Sequence, residues 1–158
     1  MKLTCIVAFA LACTVAAGCR TTAGTSVVLN HQTGGSLVCE GNTRLHNNMA
    51  VTAVTYDKVP NGLNRVNIQL TSLIQRDQYL QYRIAWFNSE GMEIDSDSRV
   101  YRPLTLHGLD SVTVTGVANN PAAVTSRLRV REVSTPQNHQ NPAVNHKVNL
   151  RTQQCYKL

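Results

Sequence analysis

No run of like charge marks this chain, no internal repeat is visible, and no segment carries a helical hydrophobic period longer than two turns. The missing repeats set aside a solenoid or propeller. The missing helical period sets aside a helical domain. Apolar stretches of membrane-spanning length are also wanting. The one candidate, Leu3 to Ala17, is shorter than the roughly 20 residues a spanning helix needs.

Catalytic signatures are missing too. There is no G-x-S-x-G and no H-E-x-x-H. A nucleophile–base pair needs a histidine within reach of Ser or Cys and a third group to orient it. The five histidines, His31, His46, His107, His139 and His146, show no such grouping, and His139 and His146 stand seven apart. They are expected to be solvated. No catalytic residue, metal ligand or cofactor is assigned, and the chain is not expected to be an enzyme. A hydrolase needs a polar cleft gathered from distant strands, which local sequence does not reveal.

What is present begins at the N-terminus. Lys2 supplies a positive start, Leu3 to Ala17 is uncharged and mostly apolar, and Ala16, Ala17 and Gly18 precede Cys19. This pattern reads as a lipoprotein signal peptide over residues 1–18. Small residues fit a narrow peptidase site, and the Cys19 thiol becomes the thioether that carries diacylglycerol, with palmitate as a further chain. The competing reading is an ordinary secretory peptide cut after Ala17, leaving a soluble periplasmic protein. One acyl chain anchors only marginally, whereas two or three hold. Arg20 follows the cysteine, and by resemblance to the bacterial sorting rule it favours the outer membrane, periplasmic face.

The remainder, Cys19 to Leu158, suits one domain. Removing Lys2 leaves 14 basic against 9 acidic side chains, a net charge of +5. Outside the cytoplasm nucleic acid is not an expected partner. Acidic glycans, lipid headgroups or an acidic protein are.

Of the five cysteines, Cys5 and Cys13 leave with the signal and Cys19 takes the lipid. Cys39 and Cys155 remain. An even remainder in an oxidising compartment points to one disulfide, against the alternative of two unpaired buried thiols. Closing so long a loop adds about 4–5 kcal/mol in the chain-entropy account. Two distant cysteines with scattered histidines lack metal-ligand spacing.

Residues 19–35 are rich in Thr, Gly and Ser and read as the lipidated cysteine and a tether, with Val27-Val28-Leu29 as a short strand inside it. From Ser36 the pattern is β. Val66, Ile68 and Leu70 alternate with polar residues, as do Leu80, Tyr82, Ile84 and Trp86, then Val112 and Val114, then Leu128 and Val130. Met49 to Tyr56 fits a strand or a helix. Asn88 to Gly91 reads as a hairpin loop into Met92-Glu93-Ile94, with Gly91 at positive φ. About six to eight strands over 36–133 predict an antiparallel β-sandwich ahead of a barrel. Residues 134–158 read as an irregular tail closed by Cys155.

The segment LQYRIAWFNSEGMEI, Leu80 to Ile94, resembles the central segment of the YcfL-like family of small bacterial lipoproteins of unknown function. Tyr82, Arg83, Trp86, Phe87, Gly91 and Met92 carry the likeness. Pro103-Leu104-Thr105-Leu106, Ser111-Val112-Thr113-Val114, Asn119-Asn120-Pro121 and Arg127-Leu128-Arg129-Val130-Arg131 extend it to about Val66–Arg131. The resemblance implies an immunoglobulin-like β-sandwich and brings no catalytic residues. The long tail and the Cys39/Cys155 pair depart from it.

Two charged groupings remain. Glu90, Glu93, Asp95 and Asp97 cluster around one turn, where a solvated turn outweighs a calcium loop, because Arg99 occupies the next ligand position. Arg127, Arg129 and Arg131 share one face of a strand. Such a row either protects an edge strand or is simply solvated, or it binds carboxylate and phosphate bidentately. Trp86 is assigned to the core and Phe87 to the opposite, exposed side, where it joins the arginines as a candidate binding face. The leading expectation is a lipid-anchored, non-enzymatic interaction or adaptor module that docks onto another envelope protein. The alternative is a binding module for peptidoglycan or another anionic ligand, through the arginine face.

Overall fold

Period-2 alternation leaves an antiparallel strand with one apolar face, and such strands become stable only when two sheets bury those faces together. The computed structural model describes residues 24–94, 100–133 and 154–158. In chain order the elements are β1 (Thr25–Asn30), β2 (Ser36–Glu40), α1 (Thr43–Asn48), β3 (Met49–Lys58), β4 (Asn64–Ser72), β5 (Gln78–Phe87), β6 (Arg102–Leu106), β7 (Ser111–Val117), β8 (Thr125–Glu132) and β9 (Gln154–Lys157). One antiparallel sheet runs β6-β5-β8-β1-β2-β9, and the other runs β3-β4-β7. Together they make a β-sandwich.

The core lies between the sheets. Val27, Leu29, Val38, Leu80, Trp86, Leu128 and Val130 come from the larger sheet. Met49, Val51, Val66, Ile68, Leu70 and Val114 come from the smaller one. Each such side chain, fully buried, contributes about 1.5–3 kcal/mol. Gly116 on β7 faces Ile84 on β5, and an added Cβ there would lie 2.7 Å from Ile84 Cδ1. The glycine lets the two sheets approach.

Helix α1 carries the chain from one sheet to the other. Asn42 caps it, its Oδ1 accepting from the amides of Arg44 at 3.0 Å and Leu45 at 3.3 Å. Leu45 anchors the helix in the core. Gln78, buried at the start of β5, donates from Nε2 to Asn48 O at 3.0 Å and to Ser72 Oγ at 2.8 Å. These bonds tie the two sheets together just past the helix.

Several expectations change. Residues 25–30 are not tether. They form β1, deep inside the larger sheet between β8 and β2, because Val27 and Leu29 alternate into the core. The domain therefore begins before Ser36. Met49 to Tyr56 is strand, within β3, with a register shift between Val51 and Ala53. Among the described residues, 36–133 hold seven strands, β2 to β8, within the expected six to eight, and β1 and β9 lie outside that span. The tail is not irregular throughout, since its last residues form β9 against β2. Gly91 has φ +79, as the hairpin requires. Its return is only an isolated bridge, Phe87 to Glu93, and not a full strand. The signal segment, Cys19, Asp95, Asp97, His139 and His146 lie outside the described residues.

Candidate functional site

Leu128 and Val130 of β8 enter the core, so Arg127, Arg129 and Arg131 must face outward. Leu80 and Trp86 do the same for β5, turning Gln81, Arg83 and Phe87 to that same outer side. The register then decides which side chains meet. Arg83 stands opposite Arg129, Gln81 opposite Arg131, and Ala85 opposite Arg127. One row across the sheet reads Cys155, Cys39, Ser26, Arg129, Arg83.

Aromatic rings and one amide hold most of these cations in place. The Arg131 guanidinium carbon lies 3.7 Å from the Tyr101 ring centroid, and its Nε and Nη2 donate to Gln81 Oε1 at 3.1 and 3.0 Å. Arg83 approaches the same ring at 5.6 Å and reaches Glu93 at 3.9 Å. Arg127 sits over Phe87 at 4.8 Å. Each cation–π contact contributes about 0.5–2 kcal/mol, depending on desolvation. Phe87 is half-buried under its arginine, on the outer side expected from the sequence. Arg129 is exposed between the others. Arg83 Nε is buried without a hydrogen-bond partner among the described residues.

The position of the row settles one alternative. β8 lies between β5 and β1, inside the sheet. Its arginines do not protect an edge. They place positive charge in the middle of the outer sheet face, where like charges directly opposite each other cost about 0.2–1 kcal/mol. Planar guanidinium forks already stacked on rings are suited to take carboxylate or phosphate oxygens with little further ordering. Sequence reasoning placed Arg127, Arg129, Arg131 and Phe87 here. It missed Arg83 and Tyr101 as members, since nothing local says that β5 and β6 lie beside β8.

The disulfide Cys39–Cys155 forms, spanning 116 residues of sequence. It lies on this outer face and fastens β9 to β2.

His31 is less solvated than expected, whereas His46 and His107 are exposed as expected. His31 Nε2 lies 3.0 Å from Ser126 Oγ, and its ring packs 5.2 Å from Trp86 and 5.6 Å from Tyr56. Burial pushes its pKa below the ordinary histidine value. Ser126 is 1% exposed, and His31 Nδ1 is buried without a hydrogen-bond partner among the described residues. The pair therefore joins sheet ends, with neither the access nor the orienting third group that a nucleophile–base pair requires. His46 pairs with Glu40, and His107 with Asp77 at 3.2 Å. Among the described residues no group of His, Cys, Asp and Glu has the makings of a metal site. A shallow cavity of about 250 Å³ lies at one end of the sandwich, between Arg44, Arg76, Asp77, Tyr79 and Glu132. Among the described residues no helix is long and apolar enough to cross a membrane.

Comparison with known proteins adds the following. The model of DUF1425, a protein family of unknown function, matches residues 36–132. A crystal structure of a DUF1425 family member from Shewanella sp. pv-4 is 30% identical to this chain. It covers 68% of this chain and 97% of its own, with a TM-score of 0.51. The Campylobacter jejuni protein cj0090 is 18% identical, covering 52% of this chain and 85% of its own, with a TM-score of 0.47. No curated protein matches the chain. The matched family span leaves out both β1 and β9.

Proposed function

The chain belongs to the DUF1425 family, and from that premise we propose that it is a lipid-anchored, non-enzymatic binding module of the bacterial cell envelope. Within the family we assign it to the YcfL-like lipoproteins. Its docking surface is the outer face of the six-stranded sheet, and its partner is another envelope protein that presents clustered carboxylates.

One observation carries this reading. Arg83, Arg127, Arg129 and Arg131 converge at the centre of the outer sheet face, where they serve neither the core nor an edge. Charge complementarity names an anionic partner. The stacking of Arg131 on Tyr101 and of Arg127 on Phe87 supports it, because side chains already ordered lose less entropy on binding. Acylation of Cys19 supplies the anchor. Because β1 begins at Thr25, the leash from Cys19 is short, about 20 Å when extended. The domain then works close to the membrane surface.

The test is capture by cross-linking in cells. The wild-type chain is compared with a variant carrying Arg83→Ala, Arg127→Ala, Arg129→Ala and Arg131→Ala. One dominant acidic envelope protein, lost with the variant, is the expected result. Identical capture by both removes the arginine face from the function. Salt-sensitive cosedimentation with peptidoglycan, with no captured protein, would transfer the same face to an anionic cell-wall glycan.

A further inference from the structure

Eight of the nine strands send side chains into the core, and β9 sends none among its described side chains. Cys155, Tyr156 and Lys157 are exposed. Among the described residues β9 pairs only with β2, at the end of the larger sheet. Its attachments among those residues are the short ladder, the disulfide to Cys39, and two side-chain bonds. Tyr156 donates its hydroxyl to Glu40 Oε1 at 3.0 Å, and Ser36 donates its hydroxyl to Leu158 O at 3.4 Å. The sandwich is thus complete without β9. Without it, β2 presents a row of unpaired amides and carbonyls, which is a template for another strand.

The connection to β9 is far longer than the path requires. Val130 aligns with Thr25, Thr25 with Glu40, and Glu40 with Gln154. The end of β8 and the start of β9 therefore lie at the same end of the sheet, three strand spacings apart, or about 14 Å. Four or five extended residues cover about that distance. Residues 133–153 lie between the two strands.

We propose that the β2 edge is an interaction surface for the β9 strand of a second copy of this chain. Two molecules exchange β9 strands, and each Cys39 then faces the Cys155 of the other. The strand best fitted to this edge is β9 from any copy, because Tyr156 and Cys155 already match Glu40 and Cys39. The exchange is reciprocal, so it closes and leaves neither β2 edge unpaired. The disulfide acts as the lock. Formed within one chain it prevents exchange, and formed between chains it fixes the dimer. Bond formation consumes a disulfide oxidant: the Cys39 and Cys155 thiols and one glutathione disulfide yield the protein disulfide and two glutathione thiols. This inference does not depend on the arginine-face reading.

The experiment uses two full-length variants, Cys39→Ala and Cys155→Ala, each also carrying Cys5→Ser, Cys13→Ser and Cys19→Ser, purified separately and mixed in equal amounts with glutathione disulfide. Cys39→Ala supplies only the β9 thiol, and Cys155→Ala only the β2 thiol. The expected product is a covalent heterodimer whose linked peptides join Cys39 to Cys155. It forms in the mixture, increases with protein concentration, and does not form from either variant alone. Like-to-like cysteine links only, or no link, overturn the proposal. Circular dichroism reports the fold beside it. Both variants are expected to keep their β-sheet signal and a cooperative melt, and loss of either refutes the claim that the core stands without a fastened β9.

Discussion

Arg83 of β5 and Arg129 of β8 stand directly opposite each other on the outer face of the larger sheet, two like charges in one cross-strand pair. Such a pair works against folding. Arg127 and Arg131 flank it on the same strand, and Tyr101 and Phe87 stack on three of the four cations without neutralising them. The like-charge pair at Arg83 and Arg129 is a local cost that the proposed binding role would explain.

Arg129→Gln should therefore leave stability unchanged or raise it by up to about 1 kcal/mol. A urea midpoint measures this. The same substitution should weaken capture of an anionic partner. A loss of more than about 1 kcal/mol would show instead that Arg129 holds the structure.

Trp86 and Phe87 are neighbours in sequence and opposite in role. Trp86 is 2% exposed in the core, while Phe87 lies outside beneath Arg127. Trp86→Ala should cost about 3–5 kcal/mol. Phe87→Ala should cost no more than about 2 kcal/mol, from partial burial and one cation–π contact. Denaturant unfolding of the two variants side by side checks the assignment, and equal losses would contradict it.

Acid should weaken the fold through His31. Burial holds its folded-state pKa below the ordinary value of 6.5. The unfolded chain then takes up a proton more readily than the folded one. The stability tied to His31 is complete above about pH 6.5 and is lost as pH falls from there through the lower folded-state value. Melting scans from pH 8 to 5 should show this decline. His31→Gln should flatten it, and an unchanged slope in that variant would assign the decline to other groups.

Asn42 caps the helix that joins the two sheets, so Asn42→Ala should cost about 0.5–2 kcal/mol. Asn42→Asp, which keeps the accepting oxygen, should restore most of it. Thermal unfolding of both variants distinguishes loss of the cap from a general disturbance of the loop.

Much of this fold is legible residue by residue. Alternation at Leu80–Trp86 and Leu128–Val130 assigns each side chain to a face, because a strand has period 2 and water accepts only one of its two faces. Gly91 announces its turn because a positive φ there favours a residue without Cβ. Cys39 and Cys155 announce a bond by being the two that remain. Local pattern also separates Trp86 from Phe87.

Strand order is different, because it depends on contacts between segments far apart in the chain. Only the assembled sheet sets β8 between β5 and β1, which turns a row of three arginines from edge protection into a central charged face and brings Arg83 and Tyr101 to it. Only the sheet makes residues 25–30 an inner strand, since their polar composition suggests a tether until Val27 and Leu29 find a core. His31 reads as solvated until β1, β5 and β8 enclose it beside Ser126 and Trp86. The sequence by itself determined which face of each strand is wet or dry, because that follows from nearest neighbours. The tertiary structure alone decided which wet faces join into one surface, because that follows from packing across the whole domain.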